Sequence, residues 1–340
     1  MKEVTKNEFM QVIEETRLLL KKNSEWRGRY ASYAEEILRN IDTIKSVRSS
    51  FREWSPLRVY LNITSAKKAK DSVNFELRYM GQTVAKLIAK RDKKCRLSTK
   101  ESKTKLEETN LRDFECNIRL AASDWDSKDA AEFRRFFKNR KGARKADANK
   151  GNEEHRIESL LLTEFSKTKS KEKPLLGIQP VTIAKVRFPM ATPISASRHR
   201  NVKYSGSHDG HVDILARTGT GGKATHLCIM ELKDENTNNE PPKDAMEQAI
   251  AYATFIRELL RSDARGKWWK LFGFRGNVPE PLELYAVCVM PSNDNNDYSF
   301  GNMELSIERD IIKLHHIYYF PDEDGKIKIR PGDATIGEVK

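Results

Sequence analysis

The chain has 340 residues, of which 33% are charged, and its formal net charge is +13. This length suits one large domain or two ordinary ones, and because it contains no run of ~18 apolar residues we expect no membrane span. The four cysteines are far apart and form no CxxC pair, which argues against a disulfide framework and against structural zinc. Because the first residues are charged and lack an apolar signal core, we expect a cytoplasmic protein.

The positive charge is concentrated in the first part of the chain. Residues 1–150 contain 36 Lys and Arg against 22 Asp and Glu, a net charge of +14, whereas the remainder has 26 against 27. Such an uneven distribution favours a polyanionic partner, most often a nucleic acid. A solubilising surface is the alternative interpretation.

Apolar periodicity divides the first part of the chain into short elements. The pattern predicts two helices, three strands and a further helix, over 7–22, 29–49, 73–79, 83–89, 114–120 and 127–140. We therefore expect residues 1–140 to form a basic α+β module. The basic stretch 141–151 has almost no large apolar residues, and we expect it to be a linker.

The second part of the chain, residues 152–340, has a different order of elements. The pattern predicts a helix, three strands, a helix and two strands, over 153–167, 179–190, 211–217, 225–233, 243–260, 282–290 and 312–320. This order is typical of one α/β domain, with an amphipathic helix at 243–260 between two buried strands.

Three charged residues interrupt strands that should be buried. Asp213 lies in "HVDIL", and Glu231 and Lys233 flank Leu232 in "MELK". Residues i and i+2 of a strand point to the same face, so Glu231 and Lys233 project together, and pairing of the two strands would bring Asp213 close to Glu231.

Two carboxylates and an ammonium group in such a place suit phosphodiester chemistry. Hard oxygen ligands favour Mg²⁺ or Mn²⁺ over zinc. A neighbouring lysine would stabilise the charge that develops on a phosphate or would orient an attacking water. The alternative is a cross-strand ion pair between Asp213 and Lys233 on an exposed sheet face.

With its Asp213…Glu231-Leu232-Lys233 pattern, the region from about 152 to 320 resembles the PD-(D/E)xK nuclease superfamily, which has the restriction-endonuclease-like fold. Gln248 and Tyr252 in "EQAIAY" are similar to the QxxxY motif of its RecB-like branch. The resemblance implies a core of helix, three strands, helix and strand around a mixed central sheet. Val212 stands where the superfamily motif has proline.

The resemblance also implies roles for these residues. Asp213, Glu231 and the backbone carbonyl of Leu232 would bind the metal, and Lys233 would act on water or the transition state. Gln248 and Tyr252 would orient the site or contact the DNA backbone. A glutamate on the first helix often adds a ligand. Here we favour Glu158 because it adjoins the buried stripe of "IESLLL", and Glu154 and Glu164 remain open.

We therefore expect a Mg²⁺- or Mn²⁺-dependent deoxyribonuclease, serving defence against foreign DNA or DNA repair. The alternatives are a nuclease-like protein that binds nucleic acid without cleaving it, and an RNA-directed nuclease. The expected phosphate contacts of the basic module are Lys86, Lys90, Arg91, Lys93, Lys94, Arg96, Arg134, Arg135, Lys138 and Arg140. The same module is alternatively a surface for a protein partner or for homo-oligomerisation.

Overall fold

A computed structural model gives the fold. It describes residues 2–52, 57–64, 72–90, 95–99, 111, 114–140, 153–167, 177–197, 201–206, 210–218, 225–235, 240–293, 296–297, 299–323 and 326–330. The helices of this part are α1 (Lys2–Lys22), α2 (Glu25–Arg39), α3 (Ile41–Arg52), α4 (Lys128–Lys138), α5 (Glu154–Phe165), α6 (Pro242–Arg261) and α7 (Arg265–Leu271). None of them combines the length and the apolar character that a membrane span needs.

The strands of the described part are β1 (Arg58–Leu61), β2 (Ser72–Tyr79), β3 (Gln82–Lys90), β4 (Cys95–Ser98), β5 (Ser123–Asp124), β6 (Gln179–Pro180), β7 (Met190–Thr192), β8 (Ile194–Ser197), β9 (Asn201–Tyr204), β10 (Gly210–Val212), β11 (Ile214–Arg217), β12 (Leu227–Leu232), β13 (Glu283–Pro291), β14 (Glu304–Ile307), β15 (Asp310–Pro321) and β16 (Ile327–Ile329). The protein is therefore a mixed α+β structure, as expected.

The chain folds into two compact units. The larger unit comprises residues 1–31, 145–181 and 189–340, and the smaller unit comprises residues 32–144 and 182–188. This division differs from the predicted boundaries, which placed all of residues 1–140 in one module. The physical reason lies in α1, whose Phe9 is buried and packs edge-on against the ring of Phe300 in the larger unit.

A mixed sheet forms the centre of the larger unit. Its strand order is β14-β15-β13-β12-β11-β6, with β16 paired to β15. β12, β13 and β15 run parallel to one another, whereas β11 and β14 join the sheet in the antiparallel sense. β12 and β13 are buried along nearly their whole length, as is usual for parallel strands with helices on the faces.

The helix α6 connects the two central parallel strands. It packs against β12 and β13, and most of its residues are buried. A parallel pair needs a crossover of this kind, because a tight turn joins only antiparallel strands. The predicted helix at 243–260 and the predicted strand at 282–290 are thus confirmed to within one or two residues.

Two predicted strands of the second part are each divided. The predicted strand 179–190 is interrupted by a tight turn in which Ile183 and Val186 exchange backbone hydrogen bonds of 2.9 Å, and Ala184 and Lys185 have positive φ angles. The predicted strand 211–217 is broken at Asp213, between β10 and β11. Alternating hydrophobicity does not distinguish one long strand from two short ones that belong to different sheets.

The smaller unit contains an antiparallel sheet in the order β1-β2-β3-β4-β5. One face of this sheet is apolar, as the strict alternation of buried residues along β2 shows. The helix α4 covers this face through Phe137, which packs against Tyr79 of β2 with ring centroids 5.0 Å apart.

Two predictions in the smaller unit were wrong. The single helix expected over 29–49 is two helices, separated at Asn40, whose side-chain amide donates to the carbonyl of Glu36. The strand expected over 114–120 is irregular backbone. There Leu120 donates to the hydroxyl of Thr99 instead of to a neighbouring strand, and Glu115 has a positive φ of 55°.

Candidate active site

The chain changes sheets at Asp213. β10 pairs with β7 and ends at Val212, and β11 pairs with β12 and begins at Ile214. Oδ2 of Asp213 accepts a hydrogen bond of 2.8 Å from the backbone N–H of Leu232. The aspartate is therefore attached to the end of β12 by a charge-assisted bond and cannot swing away from it without losing that bond.

Glu231 and Lys233 project to the same side at the end of β12. Nζ of Lys233 donates to Oε1 of Glu231 at 2.9 Å, and both residues are buried, with 4% and 5% of the surfaces of Lys233 and Glu231 exposed. Leu232 between them is fully buried. The predicted side-by-side projection is confirmed, and the burial shows that the pair does not lie on an exposed sheet face.

Two helices and a loop bring further polar groups to the lysine. Nζ of Lys233 lies 3.4 Å from Oε1 of Glu154 on α5 and 3.6 Å from Oε1 of Glu240, just before α6. It donates to Oε1 of Gln248 on α6 at 3.2 Å. Nε2 of Gln248 in turn donates to Glu240 at 2.6 Å. The ammonium is thus held between three carboxylates and an amide oxygen.

Burial and mutual repulsion perturb the two central carboxylates. Burial, followed by the charge of Glu154, raises the pKa of Asp213 to about 7. Burial, followed by the charge of Asp213, raises the pKa of Glu231 well above its usual value. Burial alone would lower the pKa of Lys233, but Glu231, Glu154, Glu240 and Asp213 together raise it. The lysine is therefore charged at neutral pH, whereas the carboxylates carry a cost that a further cation would remove.

One oxygen of this cluster is left over. Oε2 of Glu231 is buried and has no hydrogen-bond partner among the residues that the structure describes. Within that part of the chain, no group of three His, Cys, Asp or Glu side chains is arranged to hold a metal ion. Mg²⁺ commonly takes one or two protein carboxylates and completes its shell with water and substrate phosphate. Asp213 and the unused oxygen of Glu231 fit that requirement.

Tyr252 lies one helical turn beyond Gln248 on α6. Its hydroxyl accepts a hydrogen bond of 3.5 Å from the backbone N–H of Ala196 on β8. Burial, followed by the charge of Glu231, raises the pKa of the tyrosine. The structure therefore brings both residues of the QxxxY pair to the carboxylate cluster, with Gln248 in direct contact and Tyr252 at its edge.

The three glutamates of α5 differ in position. Glu154 contacts Lys233. Glu158 is buried, and its Oε2 lies 3.2 Å from Nδ1 of His155. The charge of Glu158 raises the pKa of Asp213 less than the charge of Glu154 does. Glu164 pairs with Lys167. The geometry thus favours Glu154 over the predicted Glu158. Sequence reasoning missed Glu240 altogether, because nothing in the sequence before α6 indicates that Glu240 lies within 3.6 Å of Lys233.

The predicted phosphate contacts of the smaller unit differ in accessibility. The prediction that Arg134 is a surface contact is wrong, because the residue is only 2% exposed. Its guanidinium stacks 4.0 Å above the ring of Trp125 and donates to the backbone carbonyl of that residue. Arg140 is half-buried and donates to the carbonyl of Phe114. Exposed positions are Lys86, Lys90, Arg96, Arg135 and Lys138, and Arg91, Lys93 and Lys94 lie outside the described residues.

Compared with models of protein families, with curated proteins and with solved structures, the chain has no match in any of the three.

Proposed function

We propose that this protein is a divalent-metal-dependent nuclease that hydrolyses phosphodiester bonds of DNA, with a core of the restriction-endonuclease-like kind. The observation that carries the proposal is the convergence of Asp213, Glu231 and Lys233 at the end of β12, with a buried carboxylate oxygen left unused. The order of α5, β11, β12, α6 and β13 and the mixed sheet support the proposed core.

Asp213 and Glu231 are the proposed metal ligands, together with the backbone carbonyl of Leu232. Glu154 is a further candidate, because it lies at the same lysine. A bound Mg²⁺ or Mn²⁺ would supply Lewis-acid polarisation of the phosphodiester and would lower the pKa of a nearby water.

Lys233 acts as a charge stabiliser in this proposal. Its surroundings keep it protonated, so it has no free lone pair with which to accept the proton of an attacking water. An ammonium group donates instead to the phosphate oxygens as their charge grows. Gln248 and Glu240 hold Nζ in position for this, since both contact it and each other.

The proposal is tested with the purified full chain on linear, circular and single-stranded DNA and on RNA, in Mg²⁺, in Mn²⁺ and in EDTA. Cleavage is expected with either metal and not in EDTA. Glu231→Gln keeps the acceptor for Lys233 but removes the charge, and it should abolish cleavage. Glu304→Gln removes a half-exposed carboxylate on β14 and should leave the rate unchanged.

Four results would count against the proposal. Cleavage in EDTA at the full rate would exclude the metal. Wild-type turnover by the Glu231→Gln protein would exclude the site. Nucleic-acid binding without cleavage under every condition would favour the non-cleaving alternative, and cleavage confined to RNA would change the substrate.

Gln248→Leu should weaken the positioning of Lys233. The change removes one acceptor from Nζ and leaves Oε1 of Glu240 without its 2.6 Å donor. We expect cleavage to fall about tenfold and the free energy of unfolding to fall by about 1–3 kcal/mol. Thr254→Val is the control, because it removes a buried hydrogen bond to Ile250 of the same helix without touching the site. It should lower stability alone, and an equal loss of cleavage in both variants would mean that Gln248 acts only on the fold.

A further inference from the structure

The smaller unit has a sheet face that is not covered by α4. Alternate residues of a strand point to opposite faces. The apolar residues of β2 and β3 form the buried face, which Phe137 of α4 contacts at Tyr79, and the residues between them form what we call the outer face. On β3 the outer face consists of Lys86, Ile88 and Lys90, all exposed. The register places Arg96 of β4 beside Ile88.

Positive charge predominates on the outer face. Its cations on β1 to β4 are Arg58, Arg78, Lys86, Lys90 and Arg96, and Arg187 forms an isolated parallel bridge with Tyr60 at the outer edge of β1. The carboxylates on it are Glu76 and Asp124. Glu76 accepts from Arg78 at 2.7 Å, and Asp124 lies 3.6 Å from Arg96. Among the residues of this face that the structure describes, six cations thus accompany two carboxylates.

Arg58 is a poorly compensated cation of this face. It lies directly opposite Arg78 in the β1–β2 register, and like charges in such pairs destabilise a sheet. Burial, followed by the charge of Arg187, lowers the pKa of Arg58. Among the described residues Arg58 has no ion pair. Its charge therefore opposes folding, and an anion bound from outside would remove that cost.

We propose that the outer face of the five-stranded sheet binds the phosphate backbone of a single nucleic-acid strand, through Arg58, Lys86, Lys90 and Arg96. A single strand is favoured because Ile88, 40% exposed among these cations, offers an apolar contact that an unstacked base can use. The choice of a nucleic acid among polyanions rests on the proposed function. The exposed Arg135 and Lys138 lie on α4, which covers the opposite face, so they do not belong to this surface.

The test measures binding of a labelled 20-nucleotide single-stranded DNA to the full chain by fluorescence anisotropy. EDTA is present throughout, so that binding is separated from cleavage. Lys86→Ala/Lys90→Ala should weaken binding about tenfold or more. The slope of log K against log[salt] should fall by about 1.4, at ~0.7 per lost phosphate contact. The control Lys45→Ala/Lys128→Ala removes the same charge from exposed positions on α3 and α4 and should bind like the wild type.

A second variant separates binding from folding. Arg58→Met keeps the aliphatic part of the side chain and removes its charge. We expect weaker DNA binding together with unchanged or higher stability against urea, because repulsion from Arg78 and Arg187 is relieved. A purely structural arginine would show the opposite, a loss of stability with unchanged binding, and that result would overturn its assignment.

Other outcomes would also overturn the proposal. Equal losses in the Lys86/Lys90 variant and in its control would show a dependence on net charge alone. A loss confined to Arg135→Ala/Lys138→Ala would place the surface on α4. Binding to anionic phospholipid vesicles but not to DNA would identify a different partner. If the chain binds DNA as described yet cleaves none in Mg²⁺, the proposed function fails and the surface stands.

Discussion

Asp213→Asn is expected to abolish metal-dependent cleavage and, at the same time, to stabilise the metal-free protein at pH 8. The pKa of Asp213 is about 7 in the folded protein against an ordinary value of 3.8. Folding therefore favours the protonated form. The stability that protonated Asp213 contributes to the folded protein is fully present below pH 3.8 and is lost as the pH rises through about 7. At pH 8 the ionised carboxylate therefore lowers the free energy of unfolding by on the order of 4 kcal/mol. Asparagine does not ionise and still accepts the bond from Leu232.

Urea unfolding in EDTA measures this effect. The gain in unfolding free energy of the Asp213→Asn protein over the wild type should be large at pH 8 and small at pH 4. Mn²⁺ at a hundred times its Kd should then stabilise the wild type by about 2.7 kcal/mol and the Asp213→Asn protein much less. A variant less stable than the wild type at pH 8 would show that Asp213 is a structural group and not a crowded ligand.

Lys233→Met is expected to lower cleavage by about 10²–10³-fold while Mn²⁺ binding persists. Such a loss is typical when one donor to a developing oxyanion is removed. Metal binding persists because an ammonium group is not a ligand, and its removal takes away a competitor for Oε1 of Glu231. Calorimetry with Mn²⁺ measures the binding, and single-turnover cleavage measures the chemistry.

The same change should destabilise the metal-free protein. The buried lysine neutralises Glu231, Glu154 and Glu240, and breaking a buried ion pair costs about 3–5 kcal/mol. Without it the pKa values of Asp213 and Glu231 rise further, because the charge of Lys233 lowers both, so stability should fall more steeply with rising pH than in the wild type. Lys313→Met is the matched control. Lys313 lies between Glu283 and Glu304 but is partly exposed, and its loss should cost less than about 1 kcal/mol without affecting cleavage. Loss of metal binding in the Lys233→Met protein would make the lysine a scaffold for the site.

Local patterns were sufficient for the elements that carry the core of the site. The apolar stripe between 243 and 260 predicted α6, and the buried run at 282–290 predicted β13. The i, i+2 spacing predicted that Glu231 and Lys233 project together, which their 2.9 Å contact confirms. These results depend only on the periods of helices and strands, which any stretch of sequence shows by itself.

Local patterns failed where a short segment serves two partners or where no regular pairing occurs. Residues 114–120 alternate like a strand, yet Leu120 bonds to a threonine side chain 21 positions away. Arginine is a residue type that usually lies at the surface, yet the position of Arg134 beside Phe133 and Phe137 on α4 turns it inward onto Trp125. In both cases the partner that decides the outcome comes from another element.

Composition and local periodicity were enough to establish the mixed α+β class, the basic character of residues 1–150 and the grouping of Asp213, Glu231 and Lys233 as candidates for one site. Which other groups reach that site depends on the three-dimensional fold. Glu154, Glu240 and Gln248 contact Lys233 from segments 79, 7 and 15 residues away, and the sequence carries no sign of these approaches. The burial of the carboxylates together is likewise a property of the fold, because crowding and loss of water, not residue type, set their raised pKa values.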